Sequence, residues 1–118
     1  MVIREITARD LDPEAFIAEQ VAQLRATIGD GLAINALSGG VDSSAVTMLG
    51  HRALGDRLKT VFVDNGLMRQ DEPQRVVALF AEHGVPVELV PAQDEFFAAL
   101  RGVTDPEEKR EAITQTFY

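Results

Sequence analysis

The chain has 118 residues, a formal net charge of −8, 46% hydrophobic residues and no cysteine. Those values exclude a disulfide framework, a thiolate metal site and a disordered chain, and the acidic balance argues against a nonspecific nucleic-acid groove. No apolar run reaches the roughly 18 residues of a membrane span, and Met1-Val2-Ile3-Arg4-Glu5 lacks the apolar region of a signal peptide, so a cytoplasmic protein is expected.

The length fits one domain over residues 1–118, burying roughly 65% of its unfolded surface. Asp12-Pro13-Glu14 reads as a helix start: an N-cap, a proline at the first position and an acid in the first turn. Ile17, Val21, Leu24 and Ile28 continue it as one apolar stripe, and Gly29-Asp30-Gly31 ends it. Leu32 to Leu37 reads as a buried strand. A second helix is expected from about Asp42 to Leu54, with Ala45, Leu49 and Ala53 toward the sheet. His51 on this helix reads as a packing or surface residue, since no His-Glu-x-x-His pattern is present.

Lys59 to Asp64 reads as a second strand, turned by Asn65-Gly66. A third helix is expected from Glu72 to His83, with Val76, Val77 and Phe80 inward and Gly84 closing it. Val85 to Val90 reads as a third strand, which Pro86 demotes toward an edge. A short helix, Asp94 to Arg101, precedes a last one opened by Asp105-Pro106-Glu107-Glu108. Alternating strands and helices point to an α/β fold with a parallel sheet.

Between the first strand and second helix lies Ser38-Gly39-Gly40-Val41-Asp42-Ser43-Ser44. Adjacent glycines suit a tight turn that needs φ > 0 or close backbone approach. The helix beyond offers free N–H groups and the positive end of its dipole, a spot suited to phosphate or pyrophosphate. The loop is neither a Walker A nor a Rossmann Gly-x-Gly-x-x-Gly motif. Ligands of open parallel sheets bind outside the carboxyl ends of strands, so Asp64 shares the loop's rim; it serves there as a ligand neighbour or as a turn cap.

Ser38 to Ser44 resembles the pyrophosphate loop of the N-type ATP pyrophosphatases. These enzymes split ATP between its α- and β-phosphates and adenylate a substrate oxygen. The group includes GMP, NAD, asparagine and argininosuccinate synthetases and tRNA-modifying enzymes. Three further stretches are similar to GMP synthetases: Phe62 to Arg69, Val90 to Phe96, and Asp105-Pro106-Glu107-Glu108-Lys109-Arg110. Two positions depart from that pattern, where Glu111 and Thr114 replace a usual lysine and glycine.

The resemblance implies the N-terminal part of an ATP pyrophosphatase domain, Rossmann-like (adenine nucleotide alpha hydrolase-like), with helices on both faces of the sheet. It implies that ATP adenylates xanthosine 5′-monophosphate and that ammonia from a separate glutamine amidotransferase subunit then gives GMP. Ser38, Gly39, Gly40, Val41, Asp42, Ser43 and Ser44 would hold ATP or pyrophosphate, with Val63 and Asp64 bordering the adenosine. Mg²⁺ would accompany ATP, with Asp42 as its candidate ligand, and Arg110 would reach xanthylate. The alternatives are a NAD synthetase or tRNA-modifying relative, or a nucleotide-binding module without catalysis. The family fold sets further strands beyond the first, so Leu32 to Leu37 is expected to present a free edge. A chain inactive on its own, which self-associates, takes up a second chain there or folds with marginal stability, is the corresponding expectation.

Overall fold

The computed structural model describes residues 3–118. The first helix, α1, spans Pro13–Ile28, and the Asp12 carboxylate accepts the N–H groups of Glu14 and Ala15 at 3.1 and 3.2 Å. Then follow β1 (Ala33–Ala36), α2 (Val41–Leu54), β2 (Leu58–Asp64), α3 (Glu72–Glu82), β3 (Val87–Pro91), α4 (Gln93–Leu100) and α5 (Pro106–Phe117). A short 3-10 turn at Gly55–Arg57 joins α2 to β2. The strands form one parallel sheet in the order β1-β2-β3. The expected α/β architecture with a parallel sheet is thus the one found.

Residues of alternate parity line opposite faces of a strand, and this divides the sheet cleanly. Leu58 packs with Val21, Ala53 and Leu54 of α1 and α2. Phe62 packs with Leu37, Phe80 and Val85, flanked by Val76 of α3. Both side chains leave the same face of β2, so α2 and α3 share that face. On the other face Val61, Val63 and Val90 are half-buried and Lys59 pairs with Glu88 at 3.4 Å. Ile34, on that face of β1, is 80% exposed.

Strand boundaries differ from the expected ones by one or two residues: β1 runs Ala33–Ala36, β2 begins at Leu58 and β3 runs Val87–Pro91. The third strand begins at Val87 rather than Val85, because Val85 is withdrawn into the core and Pro86 has no N–H for the ladder. β1 ends at Ala36, although the Leu37 N–H still donates to the Val61 carbonyl at 2.8 Å.

The inward stripe of α2 also differs. Ala45 is exposed, and the buried positions are Thr47, Gly50, Ala53 and Leu54. Gly50 is the cause: a Cβ there would meet Leu58 Cδ2 at 2.9 Å, so the helix approaches β2 along its glycine. At its far end the Arg25 guanidinium donates to the carbonyls of Ala53 and Arg52, at 3.0 and 3.3 Å. A cation there complements the last-turn carbonyls and the helix dipole.

Candidate functional site

The glycine loop leaves the sheet where Leu37, buried in the core, ends the β1 run. The two glycines do different work. Gly39 has φ +84, a left-handed conformation, and a Cβ on it would meet Val76 and Phe62 at 3.4 and 3.5 Å. Gly40 is extended, at φ −79 and ψ 168, and a Cβ there would meet only Ser38 Oγ at 3.6 Å. Its missing side chain therefore answers no demand of the backbone. What it does is leave the start of α2 open.

Gly40 is the N-cap of α2, and no side chain caps that helix. The first-turn N–H groups of Val41, Asp42 and Ser43 consequently have no side-chain acceptor, which is the condition for anion binding at a helix start. The loop around them is ordered from within. Ser43 Oγ accepts the Ser38 N–H at 3.2 Å, lies 2.8 Å from Ser38 Oγ and donates to the Gly40 carbonyl at 3.3 Å. Ser38 Oγ also accepts the Gly40 N–H at 3.4 Å. Val41 is 85% exposed and Asp42 is exposed beside it.

Asp64 ends β2, next to β1 in the sheet, so it stands on the loop's rim as expected. Of the two roles open to it, the structure displays the turn cap. Its Oδ1 accepts the Gly66 N–H at 3.0 Å, its Oδ2 accepts from Gln93 Nε2 at 2.8 Å, and the side chain is buried. Val63 is half-buried on the opposite face of β2. Gly66 in that turn has φ +76, and a Cβ there would run into the end of the Phe97 ring.

Arg110 lies apart from this constellation. It sits on α5, exposed, and its guanidinium donates to both oxygens of Glu107, at 2.8 and 3.1 Å. α5 packs on α4.

Two rim residues carried no site reading in the sequence. Glu72, at the start of α3, has an oxygen 4.0 Å from where a Gly39 Cβ would be, and its other oxygen accepts the Arg69 N–H at 3.1 Å. Gln93, which holds Asp64, falls within a stretch quoted for its family resemblance, but glutamine in a strand-to-helix turn carries no signal of its own. A separate concavity of about 810 Å³ lies between α1 and α2, lined by Leu11, Phe16, Ile17, Met48 and Leu49 among others. Its apolar walls do not suit a polyphosphate, and none of Ser38 to Ser44 lines it.

Among the described residues, no group of three or more His, Asp or Glu side chains could hold a metal ion. No described helix is long and apolar enough to cross a membrane.

Comparison with known proteins sets these observations in a family. Residues 19–114 match the asparagine synthase family model. The chain is 55% identical over 105 residues to a subunit of the glutamine-hydrolysing GMP synthase of Pyrococcus furiosus, covering 88% of this chain and 34% of that protein. The corresponding subunit of Archaeoglobus fulgidus is 51% identical over 107 residues, covering 91% of this chain and 35% of its own length. The chain thus spans about a third of the length of these curated relatives. A solved structure, the NH3-dependent NAD synthetase of Campylobacter jejuni, superposes with a TM-score of 0.70 at 16% identity, over 91% of this chain and 50% of that one. At that identity the likeness concerns the fold alone. The chain belongs to the asparagine synthase family, and its similarity to the GMP synthases runs through most of its length.

Proposed function

We propose that this chain is the ATP-binding part of a GMP synthetase. In this reading ATP adenylates xanthosine 5′-monophosphate, ammonia displaces AMP to give GMP, and a glutamine amidotransferase subunit supplies the ammonia. The observation that carries it is the uncapped first turn of α2, opened by Gly40, in a chain about half identical to GMP synthase subunits. The N–H groups of Val41, Asp42 and Ser43 would take up the phosphates. Fixed donors aimed at the pyrophosphate leaving group stabilise its charge without reorganising, which is the main electrostatic device for such a step.

Mg²⁺ usually binds through one or two carboxylates plus substrate phosphates, so the single exposed Asp42 fits that mode. The ion would neutralise phosphate charge there. Asp64, already committed to its turn, would border the adenosine by shaping the rim with Val63. Arg110 would reach xanthylate by exchanging its exposed Glu107 partner for a phosphate or purine oxygen, a role that suits its planar fork.

Calorimetric titration tests this reading. ATP and inorganic pyrophosphate are expected to compete for one site on the chain. In a complete synthetase, Arg110→Lys is expected to raise the KM for xanthylate more than that for ATP. Absence of ATP binding up to about 1 mM would remove the assignment. Equal effects on both KM values would remove Arg110 from the acceptor site. Binding of ATP without any amination by a complete protein would favour the non-catalytic module.

We propose further that the free edge of β1 takes up another strand. Among the described residues the strand pairs only with β2, and Leu32 and Ile34 are more than three-quarters exposed beside it. Unpaired backbone groups flanked by apolar side chains are a template for strand addition. Light scattering on the purified chain is expected to find self-association, reduced by Ile34→Lys. A wild-type chain that stays monomeric at every concentration tested would overturn this.

A further inference from the structure

α2 carries a hydroxyl where its packing asks for a hydrocarbon. Thr47 is fully buried, at 0% exposure, in the middle of the helix. Its Oγ1 accepts from Asn35 Nδ2 at 2.6 Å and donates to the Ser43 carbonyl at 2.7 Å. Asn35 is itself unusual, since asparagine is depleted in strands and this one lies in the middle of β1. Valine at position 47 would have the same shape and no polar atom to satisfy. Burying the hydroxyl and half-burying the Asn35 amide brings a cost that their mutual bond only offsets.

The bond connects two parts that the proposed phosphate site must hold together. Asn35 stands on the sheet, three residues before the glycine loop. Ser43 is the residue whose Oγ gathers Ser38 and Gly40 into the loop. A line of hydrogen bonds therefore runs from β1 through Thr47 to the backbone of Ser43, and from its side chain to the two residues that open the loop. Back-bonding from a threonine to the carbonyl four residues earlier also bends a helix locally. Here the bond ends on Ser43, one of the three residues whose N–H groups have no side-chain acceptor.

We propose that Asn35 and Thr47 are positioning residues for the phosphate site: they hold the first turn of α2 at the angle that aims its N–H groups at a bound pyrophosphate. This inference rests on the phosphate reading of the loop given above. Neither residue touches the ligand, and each acts through Ser43. The register supports a local purpose, since Asn35 pairs with Thr60, another buried threonine, whose hydroxyl has no partner among the described residues. The polar pair is thus not one end of a network running deeper into the sheet. It leads outward, to the loop.

The test separates positioning from stability. Removing one partner, as in Thr47→Val, strands the other and would destabilise the fold under either view. The double variant Asn35→Val with Thr47→Val removes both polar groups, and such replacements are close to neutral or stabilising. The double variant is expected to unfold at or above the wild-type urea midpoint and to bind inorganic pyrophosphate about tenfold more weakly by calorimetry. Thr47→Ser, which keeps the hydroxyl, is expected to bind within about twofold of wild type. A double variant as stable as wild type that binds pyrophosphate equally well overturns the positioning role and leaves the phosphate site standing. A wild-type chain that binds no pyrophosphate overturns both.

Discussion

Gly40→Val is expected to abolish measurable pyrophosphate and ATP binding while the chain stays folded. Gly40 is extended and its Cβ position is nearly empty, so the backbone accepts a valine. The replacement costs about 1 kcal/mol as a poorer helix N-cap. Its branched side chain would stand at the entrance to the free N–H groups of α2. Hydrogen bonds to a charged group contribute about 1.5–3 kcal/mol each. Displacing a phosphate from one of them lowers affinity about tenfold to a hundredfold, and from two of them by a hundredfold or more. Gly39→Ala should behave in the opposite way. Its φ of +84 carries a penalty of roughly 1–2 kcal/mol for any L side chain. The added methyl would meet Val76 and Phe62 at ordinary contact distance, so the loss comes from the backbone and appears first in the thermal midpoint. Unchanged nucleotide affinity in folded Gly40→Val would show that phosphate does not approach by this route.

Phe62→Ala is expected to cost about 3–5 kcal/mol of folding stability. Its ring is 1% exposed and joins Leu37, Phe80 and Val85 in one cluster. A domain this small holds about 5–15 kcal/mol in all, so the variant would lose roughly a fifth of its stability or more. The ring also supports Gly39, whose Cβ position lies 3.5 Å from Phe62 Cε2. Phosphate affinity should therefore fall in those molecules that remain folded. Urea denaturation reads the first effect, and a loss below about 1 kcal/mol would mean that the cluster collapses around the gap.

The glycine loop was legible because its demands are local. Two adjacent glycines between an apolar run and a helical pattern announce a turn, and the chain places it there. The parallel sheet followed from alternation of elements, and the proline before β3 pointed to the edge it occupies. What stayed hidden depends on contacts across the fold. Ala45 was expected inward because alanine suits a helix face, yet Gly50 decides how α2 sits on β2, and a mid-helix glycine does not announce close approach. Thr47 and Asn35 are twelve residues apart on different elements. Nothing in their spacing reveals that they meet. Asp64 was legible as a rim residue, but its role was not. Only the partners Gly66 and Gln93 distinguish a turn cap from a ligand neighbour.

The contact between Gly66 and Phe97 bears on how the molecule moves. The Phe97 ring of α4 lies closer to the backbone of the turn after β2 than any side chain at position 66 would permit. Gln93, one turn earlier on the same helix, grips the Asp64 carboxylate just before that turn. Two contacts one turn apart therefore tie α4 to the end of β2. A change in the angle of α4 would be passed on to α5, which packs on it and carries Arg110.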